Sequence, residues 1–160
     1  RTPCGSSDFF VYIPFKRVTS ITFTTMANLH SFPASQKLKS RKVISKLFES
    51  GKQVKAYPIR AVYSISEFDP NYHTAHVQMG ISVPKRLFKS AVDRNRIKRQ
   101  VKEAYRMYHT ELSDLAEEQN IYLAMMVIYV DRKEPDFNHL NKKVKNLVEQ
   151  FYNLLQTYKS

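Results

Sequence analysis

Arg94, Asn95, Arg96, Lys98 and Arg99 fall within six consecutive positions, Arg-Asn-Arg-Ile-Lys-Arg. Arginine forks take phosphate oxygens two at a time and stack on bases, and an asparagine amide both donates and accepts at a base edge or a 2′-hydroxyl. Lys85, Arg86, Lys89, Lys102 and Arg106 extend the run. Nine cations therefore face only Asp93 and Glu103, which leaves +7 of the chain's +12 in this window. Like charge at that density repels itself unless a polyanion neutralises it. The residues point to nucleic-acid binding.

The other groups able to do chemistry do not assemble. His30, His73, His76, His109 and His139 are scattered, with no H-E-x-x-H pair, and Cys4 stands alone. A protein-borne active site needs a paired base and nucleophile or metal ligands at suitable spacing. His73 and His76 read as turn and strand-face residues, His76 able to help line a cleft. Asp114, Glu117 and Glu118 read as a solvated loop. With three glycines in all, a phosphate-cradling loop is not expected. We therefore expect no catalytic residue, no metal ligand and no cofactor bound by the protein itself. A single cysteine excludes an intrachain disulfide and favours a reducing compartment, the cytoplasm. No apolar run reaches the roughly 18 residues of a membrane span.

The elements that must position the cations follow from periodicity. Residues 1–36 read as an N-terminal extension, flexible or foreign to the native chain, with Met26 as an alternative start; residues 37–160 read as one folded domain. Ser40 as N-cap and Gly51 as stop bracket a helix over 41–50, with Val43, Ile44, Leu47 and Phe48 on one side. A strand is expected over 57–66, with Pro58 near its start. Asp69-Pro70-Asn71 turns the chain into a second strand over 74–83, with Val77, Met79, Ile81 and Val83 on one face. These two strands are expected to pair as an antiparallel hairpin. Ser90 to Asp93 fits a capping box for a second helix. Residues 121–130 form a near-continuous apolar run, as in a buried central strand. A last helix begins near Asp136, just after Pro135. The expected fold is a mixed α/β domain of order α-β-β-α-β-α, helices against one small mixed sheet.

On the second helix, Ile97, Val101, Ala104, Tyr105 and Tyr108 share about a third of the circumference and form its core arc. Asn95, Arg99, Lys102 and Arg106 lie opposite, flanked by Arg96 and Lys98. Arg94 and Arg96 occupy the first turn, where the macrodipole disfavours a cation by roughly 0.3–1 kcal/mol. Something outside the helix must reward them. Insertion into a DNA major groove would bring a dimer with half-site spacing, and no heptad supports one. Adsorption to an anionic membrane would need a broad insertion face, whereas this apolar arc is needed for the core.

Ile81-Ser-Val-Pro-Lys85-Arg86, followed by Ala91-Val-Asp-Arg94-Asn95-Arg96-Ile97-Lys98-Arg99 and Glu103-Ala-Tyr-Arg106, resembles the bacterial ribonuclease P protein component. The resemblance runs from about Leu38 to the C-terminus. It implies a small protein that assists a catalytic RNA, itself magnesium-requiring, in removing 5′ leaders from precursor tRNA. It implies contact with the RNA subunit by Lys85, Arg86, Arg94, Asn95, Arg96, Lys98, Arg99, Lys102 and Arg106. It also implies a leader-binding cleft between the first helix and the sheet, with Phe48 and Tyr63 as stacking aromatics. The family's crossover is left-handed, like that of the second domain of a small-subunit ribosomal protein. The chain departs from the family at Ile44, where an aromatic is usual, at Pro58, and mildly at Arg86 and Tyr105.

Overall fold

A computed structural model describes residues 32–158. Its organising element is β4 (Ile121–Tyr129), in which all nine residues are buried. Alternation sends Leu123, Met125, Val127 and Tyr129 to one side and Tyr122, Ala124, Met126 and Ile128 to the other. A strand apolar on both faces needs cover on both. The domain is accordingly three-layered. Helix α1 (Arg41–Ser50) covers one face with Leu47, Val43 and Ile44, and α2 (Ala91–Arg106), α3 (His109–Glu118) and α4 (Phe137–Tyr158) cover the other.

The sheet order is β1-β2-β4-β3, with β1 at Lys52–Ala56, β2 at Ile59–Glu67 and β3 at Val77–Ser82. Strand β4 pairs antiparallel with β2 (Tyr63 opposite Met125) and parallel with β3 (Met79 opposite Met125). The expected hairpin between the second and third strands is thus replaced: β4 lies between them. The physical reason is burial, because the most apolar strand gains most from a neighbour on each side. The crossover from β3 to β4 runs through α2 and α3.

Two elements exceed the expected order. Strand β1, Lys-Gln-Val-Lys-Ala, is mostly exposed and carries little strand propensity of its own; its antiparallel pairing with β2 makes it a strand. Pro58 therefore sits in the tight Tyr57-Pro58 turn of that hairpin, at a cis peptide bond, rather than near the start of a strand. Helix α3 contains Asp114, Glu117 and Glu118, so that cluster is helical and not a loop. No side chain caps its start at Tyr108, but Leu112 and Ala116 are fully buried and anchor it.

The terminal signals of the remaining helices behave as read. Ser40 Oγ accepts from the Val43 amide, Ser90 Oγ from that of Asp93, and Asp136 Oδ2 from that of His139. The folded unit begins earlier than the sequence suggested. Phe32 is buried edge-on against Tyr105 at 5.7 Å, and Ala34–Gln36 form a single 3-10 turn. Gln78 Nε2 donates to the Ser35 carbonyl at 3.2 Å and the Leu38 amide to that of Met79 at 3.1 Å, fastening this segment beside β3. Of the expected extension over residues 1–36, residues 1–31, Met26 included, lie outside the described residues.

Candidate nucleic-acid interface

Helix α2 separates into the two faces its periodicity implies. Ile97, Val101, Ala104 and Tyr105 are buried against the sheet and α4, while Asn95, Arg96 and Arg99 are exposed. Burial pushes the Tyr105 hydroxyl far above its usual range, so it stays neutral in the core. Lys85 and Arg86 are exposed in the turn between β3 and α2. The core arc holds the helix so that its cations face outward.

The cations do not share one role. Arg94 Nη1 donates to the carbonyls of Phe88 at 2.9 Å and Lys89 at 2.7 Å. Its guanidinium thus clasps the basic turn to the first turn of α2, an internal reward for a cation placed against the helix dipole. Arg96 Nε lies 3.0 Å from Glu134 Oε1, on the connection between β4 and α4. Arg106 grips Glu103 through Nε and Nη2, a bond that holds the Glu103 carboxyl below its usual range. Lys98, Arg99 and Lys102 differ: among the described residues none of them lies within ion-pair distance of a carboxylate. Lys102 Nζ stands 5.6 Å above the Phe32 ring.

Lys98, Arg99 and Lys102 are joined by Lys37 and Lys39, which line the same groove. The sequence carried a signal for these two, since charges alternate around the buried Leu38.

The two expected stacking aromatics are not brought together. Phe48 is 54% exposed on α1. Tyr63 is buried on the opposite face of the sheet, its ring edge-on to Phe151 of α4 at 5.2 Å. Strand alternation dictates this: Val62, not Tyr63, faces α1. Arg60 shares that α1 face, in register with Ile128 and Ser82, and its Nε is buried with no hydrogen-bond partner among the described residues. Sequence reasoning missed Arg60, because a lone arginine in a strand carries no signal until the faces are known.

Three of the described histidines serve the scaffold; His139 is exposed, and His30 lies outside the described residues. His73 stacks on Tyr122 at 3.6 Å and His76 on Phe68 at 3.7 Å, and His109 is buried beside Phe32. Burial raises the Tyr122 hydroxyl to about 12, so it remains a donor, to Gln78 Oε1 at 2.8 Å. Among the described residues no three His, Cys, Asp or Glu side chains are grouped to hold a metal ion, and no helix is long and apolar enough to cross a membrane.

Residues 32–152 match the Ribonuclease P family. The chain belongs to the ribonuclease P protein family. It is 35% identical over 111 residues to the ribonuclease P protein component of Porphyromonas gingivalis, covering 69% of this chain and 79% of that one. To that of Chlorobium phaeobacteroides it is 30% identical over 132 residues, 77% and 90% of the two chains. A solved structure of a Staphylococcus aureus RNase P protein mutant superposes with a TM-score of 0.50 at 17% identity, covering 80% of this chain and 93% of that one, a likeness of fold alone. Ribonuclease P is an endoribonuclease of tRNA 5′ processing. As its protein component, the chain works together with an RNA subunit.

Proposed function

We propose that the outward face of α2, with the turn before it, docks this chain on the RNA subunit of ribonuclease P. We further propose that the α1 side of the sheet holds the single-stranded 5′ leader of precursor tRNA. The observation that carries the first part is the one-sided helix: a buried arc through Ile97 and Val101 opposite Lys98, Arg99 and Lys102, which among the described residues have no carboxylate within ion-pair distance. In this reading Lys85, Arg86, Asn95, Lys98, Arg99 and Lys102 meet the RNA. Arg96 and Arg106 can join only by exchanging a carboxylate for a phosphate, and Arg94 acts through the turn it clasps. Magnesium belongs to the RNA, and the work is done in the cytoplasm.

The leader reading rests on Phe48 and Arg60, an exposed ring and an unsatisfied guanidinium nitrogen that belong to the α1 layer and to the sheet face it covers. Stacking on an aromatic tolerates any base, which suits leaders of differing sequence. Tyr63 has no place in that cleft.

The test is direct. Precursor tRNA is incubated with Porphyromonas gingivalis ribonuclease P RNA at low magnesium, with and without the protein. Stimulated 5′ maturation supports the reading, and its absence refutes it. Phe48→Ala should weaken binding of leader-bearing substrate while sparing mature tRNA; equal losses for both would sink the leader assignment alone.

A further inference from the structure

Between α2 and the segment beside β3 runs an open groove of about 450 Å³. Its floor is hydrocarbon from Phe32, Leu38, Met79 and Ile81, and its two lips are cationic. Lys37 and Lys39 stand on one lip and Lys98, Arg99 and Lys102 on the other, with Asn95 at the same edge of α2; among the described residues no carboxylate lines it. The lips are fastened independently. The Leu38 amide and Gln78 hold the first against β3, and the core arc of α2 holds the second.

A phosphate backbone alone would be served by the cations. It would have no use for the apolar floor, and it has no need of Asn95. A nucleobase matches all three features: an apolar face for the floor, a polar edge for the amide, and phosphates on both sides for the lips. The charges of the groove also contrast with Arg94, Arg96 and Arg106, which are engaged within the protein. This is the part of the α2 surface left to a polyanion.

We propose that this groove receives one unstacked base of the RNA subunit, with Asn95 at its hydrogen-bonding edge and the lysines on the flanking phosphates. The proposal rests on the reading that α2 docks on that RNA, and deepens it from an electrostatic contact to the capture of a particular nucleotide.

Two variant classes separate the parts. With the full-length chain and Porphyromonas gingivalis ribonuclease P RNA, affinity is measured across a salt series and base reactivity is probed at nucleotide resolution. Asn95 is exposed, so Asn95→Ala should leave the fold intact. It is expected to reduce affinity roughly 5- to 100-fold, the range of a lost base-edge contact. The salt slope should not change, and one base that the wild-type protein protects should become reactive. Lys98→Ala and Lys102→Ala should instead lower the salt slope by about one each. Asn95→Trp, which fills the groove mouth, should abolish the same single protection. If the lysine variants weaken binding while neither Asn95 variant changes affinity or exposes a base, the captured base is refuted and the dock stands. If the lysine variants also bind as wild type, the dock itself fails.

Discussion

Arg96 and Glu134 form an ion pair of 3.0 Å that joins the second turn of α2 to the connection after β4. The side chains are 64% and 42% exposed, so the pair contributes no more than about 0.2–1 kcal/mol. An RNA phosphate can displace the carboxylate at small cost. Glu134→Gln should therefore tighten RNA binding by up to about fivefold at low salt and leave the melting temperature nearly unchanged. Weaker binding would show that Glu134 orients Arg96 for the RNA rather than competing with it.

Arg94 and Arg99 should part company under substitution. Hydrogen bonds from a charged donor are worth about 1.5–3 kcal/mol when fully desolvated. Arg94 is only half-buried, so Arg94→Ala should cost about 1 kcal/mol in denaturant unfolding and loosen the basic turn. Arg99→Ala should leave stability within about 0.5 kcal/mol while weakening RNA binding. Equal stability for the two variants would remove the clasp.

Tyr63 and Phe48 provide the matching contrast on the leader side. Tyr63→Ala should destabilise the domain by about 3 kcal/mol, the loss of a large buried ring. Phe48→Ala should cost under about 0.5 kcal/mol of stability and about 1–3 kcal/mol of leader binding. Chemical denaturation and substrate titration read the two effects separately.

Gly51 is required for a close approach, not for a left-handed backbone. A Cβ there would meet the Leu47 carbonyl oxygen and lie 2.7 Å from Val62 Cγ1. Gly51→Ala should therefore destabilise by about 1–3 kcal/mol, as overpacking does. Gly80→Ala should cost less, because it would press on the flexible end of Met126. Thermal melts of the two variants should rank in that order.

His73 makes stability depend on pH. Burial between Phe68 and Tyr122 lowers its pKa from 6.5, with Asp69 opposing the shift and His76 adding to it. The unfolded chain then binds the proton more readily. Stability should be full above about pH 6.5 and fall as pH drops below it. His73→Gln should flatten melting temperatures between pH 5 and 7, and an unchanged profile would exclude His73 as the source.

Local signals are legible in the sequence where one residue type decides the outcome. Ser40, Ser90 and Asp136 cap their helices, Gly51 ends α1, and the 3.6-residue rhythm of α2 separates the Ile97 arc from Asn95 and Arg99 before any contact is known. Elements made by their neighbours are not legible. Strand β1 exists because β2 pairs with it, and α3 because Leu112 and Ala116 find the core.

The division runs through the functional residues as well. By itself the sequence determined the cationic face and the family, since charge density, helical angle and motif order are properties of the chain. Only the tertiary structure decided which cations remain for a partner, because Glu134, Glu103 and the carbonyls of Phe88 and Lys89 reach Arg96, Arg106 and Arg94 from positions that spacing along α2 cannot weigh against a partner. It also turned Tyr63 away from α1 and brought Lys37 and Lys39 opposite Lys98. The physical reason is that a strand has two faces and a groove has two walls, and which residues share one is set by packing across distant segments.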